Sequence, residues 1–280
     1  MATTSSSGFE IDNLPHDVKQ RLINDMEKRR RDPFAKDADN RRYFKAVLYG
    51  NPGCGKTVLA GRLALPDEKI LFIDAEDSAS VIASHPDWFE GRVAIDPFNG
   101  WLETAFLLDK VVHDGVYKTV VIDSLQSAFR MEMTSIVNGR SSRAKDGLGN
   151  PNKDQYQIEE YGIYLNRLSS FVGSALRKPL NIIISGHVNE PTDTQIKNGQ
   201  KKRITGSDNQ VQAITSLIGN IFYVELIEGG PGKMTIGIQT REGKDSAAFA
   251  RTRINELPTA MEGEKFITAI HNWRQGKPIS

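Results

Sequence analysis

Residues Gly50-Asn51-Pro52-Gly53-Cys54-Gly55-Lys56-Thr57 match the G-x-x-x-x-G-K-[ST] pattern in full. Glycines at these positions let successive backbone N–H groups converge on phosphate oxygens, and an opening helix adds partial positive charge. Lys56 is expected to reach the β- and γ-phosphates of ATP, and the Thr57 hydroxyl to ligate Mg²⁺. A glycine-rich turn without a ligand is the alternative, and an apolar strand before the motif with a helical pattern after it argues against that. Cys54, inside the motif, is either an inert small residue or a redox-sensitive one. Further on, Thr119-Val-Val-Ile-Asp123-Ser124 is an apolar run ending in a carboxylate, the Walker B form, with Asp123 expected at Mg²⁺ directly or through water. A helix cap is its bland reading. Ile70-Leu-Phe-Ile-Asp74-Ala-Glu76-Asp77 sets a carboxylate just beyond another strand. There Glu76 is either the base that activates an attacking water or a solvated loop carboxylate.

Such side chains need strand ends to hold them. From Phe44 to about residue 240, β-rich runs alternate with helical patterns, which predicts an α/β fold with a mostly parallel sheet flanked by helices. Strands are expected at Phe44 to Tyr49, Lys69 to Asp74, Lys118 to Asp123, Leu180 to Ser185 and Asn220 to Leu226. Helices are expected at Lys56 to Leu65, Trp101 to His113, Asp154 to Arg177 and Asp208 to Ile218. Two connections, Asn138 to Lys153 and Val188 to Ser207, are long, basic and rich in Gly and Asn, and are expected to be functional or mobile loops. Residues 1–13 read as a disordered tail, Ser/Thr-rich at its start. Residues 14–42 read as a helix and linker, with Leu14, Val18, Leu22 and Met26 on one stripe and a run of Lys28, Arg29, Arg30 and Arg31 at its end. That run either compensates the helix dipole or docks a neighbouring subunit. The core is placed at 43–257, and 258–280 as a C-terminal segment in which Phe266, Ile267, Ile270 and Trp273 suit a packing helix.

These segments together resemble the RecA superfamily of P-loop ATPases over about residues 43–255, and most closely the minimal RecA-like single-strand annealing proteins of bacteriophages, the Sak type. The resemblance implies a RecA-like P-loop core with Glu76 as catalytic base beside Lys56. The run Ile182-Ile-Ile-Ser-Gly-His187-Val is similar to the sensor strand of RadA-like members, which implies that His187 detects the γ-phosphate and leads into a DNA-binding loop. A hydrogen-bonded loop histidine is the other reading. The chain is shorter than bacterial RecA, has no recognisable second DNA-binding domain, and its loops do not match RecA's.

The two long loops fall where that superfamily binds DNA. Arg140, Arg143 and Lys145 stand in the first; Lys197, Lys201, Lys202 and Arg203 stand in the second with no acid among them. Such cations can follow a phosphate backbone without reading sequence, and neither loop interior carries an aromatic for base stacking. A solvated basic surface is the alternative. Arg251 and Arg253 alternate in a strand-like segment, Phe249 to Ile254, where the resemblance implies residues reaching the neighbouring subunit's ATP; plain surface charge competes with that.

Composition bounds the rest. The chain has 280 residues, 39% hydrophobic and 25% charged, with net charge +1, which excludes global disorder, collagen-like and coiled-coil classes and confines any nucleic-acid affinity to local patches. One cysteine leaves no intramolecular disulfide and no thiolate zinc cluster. No bilayer-length apolar run or signal peptide is visible, so a cytoplasmic protein is expected, in the host cytoplasm if phage-encoded. The expected function is DNA-stimulated ATP hydrolysis by a protein that binds single-stranded DNA, self-associates into a ring or filament, and acts in recombination or annealing, with a single-stranded-DNA-binding protein as a further partner. A DNA annealing scaffold that holds ATP with negligible turnover, and a small-molecule P-loop kinase, are the alternatives.

Overall fold

The computed structural model describes residues 42–143, 158–192, 194–195, 200–215, 218–243 and 248–279. Strands β1 (Lys45–Gly50), β2 (Lys69–Asp74), β4 (Tyr117–Asp123) and β5 (Asn181–Asn189) are near-continuous runs of Val, Ile, Leu and Phe. Such runs suit a parallel sheet covered on both faces. With β3 (Val93–Pro97), β6 (Arg203–Ile204), β7 (Asn220–Gly230), β8 (Lys233–Gln239) and β9 (Ala260–Glu262) they form one sheet in the order β3-β2-β4-β5-β1-β7-β8-β9, with β6 paired to β5. Pairings from β3 across to β7 are parallel, and β8 and β9 extend the sheet antiparallel.

Alternation along each strand divides the core between two faces. Val47, Tyr49, Ile122, Ile182 and Ile184 meet helices α3 (Trp101–Asp114), α4 (Leu125–Arg143), α5 (Ile158–Arg177) and α6 (Asp208–Thr215) through Trp101, Leu108, Ala128, Leu168, Phe171 and Ile214. Ala46, Leu48, Phe72, Val121, Ile183 and Phe222 meet α1 (Lys56–Arg62) and α7 (Gly263–Arg274) through Leu59, Ala60, Phe266 and Ile270. A short helix, α2 (Pro86–Phe89), follows a 3₁₀ turn at Ala79–Ser84. Helix α7 is also held by a buried ion pair: Arg274 Nη2 and Nη1 donate to Glu68 Oε1 and Oε2 at 2.5 and 2.9 Å, and both side chains are 1% exposed. The Leu65 amide and the Thr119 hydroxyl donate to the same carboxylate.

All five strands expected in the core form, β5 and β7 running further than their apolar stretches. Three expectations are corrected. The connection from Asn138 to Lys153 is not a loop throughout, because α4 continues to Arg143. The Val188 to Ser207 connection contains an antiparallel pairing, Val188 with Ile204 and Asn189 with Arg203, secured by the buried Ile204. The Phe249 to Ile254 segment makes no strand; Ala248 bridges to Lys202 and Arg251 to Ile221 as isolated pairs. The tail and helix expected over 1–41 lie outside the described residues.

Candidate nucleotide-binding site

Parallel pairing puts the carboxyl ends of four strands side by side: Gly50 opposite His187, and Asp74 opposite Asp123. Ligand sites of open α/β sheets form at such ends. The G-x-x-x-x-G-K-T segment runs from Gly50 into α1, with Gly53 and Gly55 at φ +76° and +88°. Glycine is required at Gly50 by contact: a Cβ there would lie 2.0 Å from the Val224 carbonyl oxygen. Lys56 Nζ lies within the curl of the loop, donating to the Asn51 and Gly50 carbonyls at 2.8 and 3.1 Å. Burial pushes the Cys54 thiol up, against the pull of Lys56, which disfavours the reactive thiolate.

Three hydroxyls converge on Asp123. Thr57 Oγ1 donates to Oδ2 at 2.5 Å, Ser78 Oγ to the same oxygen at 3.1 Å, and Ser185 Oγ to Oδ1. With its proton committed to Asp123, Thr57 Oγ1 keeps its lone pairs for a cation. Among the described residues no group of three or more His, Cys, Asp or Glu side chains is placed to hold a metal. A hydroxyl and one carboxylate are nevertheless the donor set that suits Mg²⁺, which takes most of its remaining ligands from water and phosphate. The residues present therefore fit that ion, held by Thr57 and Asp123.

Glu76 follows β2 at a sharp bend. Asp74 Oδ1 accepts the Glu76 and Ser78 amides at 2.9 and 3.3 Å, and Asp77 sits at φ 57°. Ser124 Oγ, Ser127 Oγ and His187 Nε2 all converge on Glu76 Oε1, the last two at 2.8 and 2.9 Å. For the histidine contact to be a hydrogen bond, Nε2 must carry the proton. Burial raises the Glu76 pKa, but the bonds from Ser124, Ser127 and His187 outweigh it and hold the carboxyl below its ordinary value. Glu76 Oε2 takes no hydrogen bond among the described residues, so an ionised carboxylate oxygen is available to water. His187 is tied in turn through its backbone: its N–H donates to Gln126 Oε1 at 2.7 Å, and Gln126 Nε2 donates to the Thr205 carbonyl at 2.7 Å.

A family model described as an AAA domain matches residues 42–254. The chain belongs to this AAA domain family. Membership carries the P-loop ATPase fold of a nucleotide-binding family whose members generally bind ATP and Mg²⁺. The curated proteins compared with the chain contain no match. In this AAA domain Lys56, Thr57, Glu76, Asp123 and His187 share one site, together with Ser78, Ser124, Ser127, Ser185 and Gln126, which sequence reasoning did not single out. Beside the loop lies a cavity of about 340 Å³ lined by Val58, Arg62, Trp88, Leu226 and Ile236 among others. The Arg62 guanidinium stacks 3.9 Å from the Trp88 ring centre there.

The AAA domain disposes the other sequence-predicted residues differently. The second basic segment lacks acids in sequence, but the fold supplies them: Lys201 Nζ donates to Glu242 at 2.8 Å, and Lys202 Nζ lies 3.2 Å from Glu190 and 3.3 Å from the Tyr223 hydroxyl. Burial works against the Lys202 charge, and Tyr223 and Glu190 outweigh it, raising its pKa. Glu190 also accepts from Asn51 Nδ2 of the P-loop at 3.4 Å. Arg203 lies in β6. Arg140 and Arg143 fall in the final turns of α4, and Lys145 and Lys197 lie outside the described residues. Arg251 and Arg253 flank the start of β7, whose Ile221 is level with Val47 rather than with Gly50, so neither touches the P-loop of its own chain. Arg251 Nη2 donates inward to the Ile218 carbonyl at 2.9 Å, and Arg253 lies against Gly219.

Proposed function

We propose that this chain is a RecA-like ATPase that binds single-stranded DNA, self-associates with ATP at subunit interfaces, and acts in phage-type recombination or strand annealing. The observation that carries the hydrolytic part is Glu76, an ionised carboxylate fixed by Ser124, Ser127 and His187 with one oxygen open to water, at the strand ends that hold the P-loop. Lys56 would exchange its two loop carbonyls for the β- and γ-phosphates of ATP. The base would enter the cavity between Trp88 and β8. Thr57 and Asp123 would hold Mg²⁺, which when bound neutralises charge on the phosphate oxygens. Glu76 Oε2 would take the proton of the attacking water, and His187, bonded to the same carboxylate, would sense the γ-phosphate.

The DNA-binding part is supported by Arg203 and the paired lysines Lys201 and Lys202, which lie on a segment joined to His187 through Gln126 and Thr205. ATP would order this segment and hydrolysis would release it. A second reading, an ATP-liganded annealing scaffold with negligible turnover, is favoured by the load on Glu76 Oε1, since three donors temper that oxygen as a base. ATP hydrolysis measured with and without single-stranded DNA separates the two: strong stimulation supports the recombinase reading, and a flat low rate with tight DNA binding supports the scaffold. Electron microscopy with ATP, Mg²⁺ and single-stranded DNA tests assembly, and a monomer under those conditions removes the ring or filament.

A further inference from the structure

A second cavity, of about 460 Å³, opens between α4, α5 and α6 and the Thr205–Ser207 turn, within the range of small-molecule pockets. None of its lining belongs to the P-loop. Phe129 of α4 and Tyr161 of α5 stand in its wall with ring centres 6.0 Å apart and planes inclined by 34°. Arg130, exposed, lies beside Phe129 at the same cavity. Gln210 lines it from α6, only 6% exposed, with Oε1 engaged by the Ser207 amide and Nε2 left without a hydrogen-bond partner. A buried amide donor in that state is costly, and an acceptor entering the cavity relieves the cost. Gln126, the bridge between His187 and Thr205, lines the cavity too.

Flat aromatic faces, an amide lacking an acceptor and a guanidinium together fit a planar ring with carbonyl or ring-nitrogen acceptors and an attached phosphate. A nucleobase is such a ring. We propose that this cavity captures one base of a single-stranded DNA, and that Gln126 is the positioning residue through which occupancy reaches His187. The proposal rests on the DNA-binding reading above and adds what the basic segments lack, an aromatic surface for stacking, supplied by helices rather than by the loops. A base against Phe129 and Tyr161 presses on the element that carries Gln126, and a shift of its amide moves the His187 backbone and the imidazole bonded to Glu76. Binding at the cavity and hydrolysis at the P-loop are thereby coupled.

The test uses the full chain with ATP and Mg²⁺ and two labelled probes of equal length, oligo(dT) and an oligomer of abasic nucleotides, titrated by fluorescence anisotropy at several salt concentrations. The expected result is at least about tenfold weaker binding of the abasic probe with an unchanged salt slope, because stacking is lost and phosphate contacts are kept. Val211→Phe, which fills the cavity from α6, should bring oligo(dT) down to the abasic affinity, leave the abasic affinity and the basal ATPase rate unchanged, and abolish stimulation by DNA. Gln126→Met should keep oligo(dT) affinity and the KM for ATP while the ratio of stimulated to basal kcat falls to about one. Equal affinity for both probes on the unaltered protein overturns the base subsite and leaves the DNA-binding ATPase standing, whereas no binding of either probe overturns both. Competition by free thymidine monophosphate at matched base concentration overturns the assignment to a strand. A change of assembly state in Val211→Phe with DNA binding intact assigns the cavity to a neighbouring subunit and overturns the proposal.

Discussion

Replacing Glu76 by Gln separates the chemistry of this carboxylate from its structural role. Glutamine keeps an oxygen where Ser124, Ser127 and His187 Nε2 converge, so the bend after β2 and the Lys56 and Thr57 contacts should persist. It cannot accept a proton from water. Loss of a general base lowers hydrolysis by about 10²–10⁴-fold, or about 2.7–5.4 kcal/mol at 1.36 kcal/mol per tenfold. The three bonds change from charge-assisted to neutral at a side chain only 25% exposed, and at about 1 kcal/mol each the stability loss at neutral pH is at most about 3 kcal/mol. Its sign with pH is fixed. The Glu76 pKa lies below the ordinary 4.5, so the carboxylate's contribution is present above that pH and is lost as pH falls through its folded value. Urea denaturation of Glu76→Gln and the unaltered protein should therefore converge toward acid pH. ATP affinity by calorimetry should change less than threefold while phosphate release in a single turnover falls by at least 10²-fold. Turnover within threefold of the unaltered protein refutes the assignment and makes Asp77 the next candidate.

Lys56→Ala should abolish ATP binding or turnover, and ATP affinity equal to the unaltered protein's, measured by calorimetry, contradicts the P-loop geometry. Asp123→Asn should raise the Mg²⁺ concentration needed for half-maximal hydrolysis, which a metal titration reads directly. Arg274→Ala strands the buried Glu68 carboxylate and should cost about 3–5 kcal/mol, while pairing Arg274→Met with Glu68→Leu should recover part of it, the Leu65 amide and Thr119 hydroxyl losing their acceptor; chemical denaturation of the two variants and the unaltered protein decides. Replacing Lys201, Lys202 and Arg203 together by Ala should weaken single-stranded DNA binding alike for every sequence and lower the salt slope by about 2, at about 0.7 per lost contact, with nucleotide binding retained.

The strands that carry the site were legible because each holds an unbroken apolar run buried on both faces, and the chemistry sits at their ends. Strand β3 was not, since Val-Ala-Ile-Asp-Pro is short, half-exposed and closed by proline. Helix α4 was missed because Thr134, Ser135, Asn138 and Gly139 dilute its apolar stripe, and its buried face is visible only once α5 packs against it. Lys56, Thr57, Glu76, Asp123 and His187 could be named from motif position and resemblance, but the serines around them could not. Ser124 and Ser127 meet one carboxylate because they are three apart on a helix start opposite β2, and Ser185 meets Asp123 because β5 lies beside β4. Hydroxyls acquire such roles from register alone. For the same reason Lys201 and Lys202 looked unopposed: Glu242 and Glu190 reach them only in the folded sheet.

Glu190 stands between two owners, with Asn51 of the P-loop on one side and Lys202 on the other. An anion that takes Lys202 away leaves Glu190 as an uncompensated negative charge beside the loop proposed to hold the ATP phosphates. The reverse also holds, because linkage between two binding equilibria is symmetric. Whatever factor an anion at Lys202 imposes on nucleotide affinity, nucleotide must impose on the anion. One carboxylate thus makes the P-loop after β1 and the basic segment before β6 compete for a single balance of charge, and that competition would be visible as a nucleotide-dependent salt sensitivity even before any ATP is split.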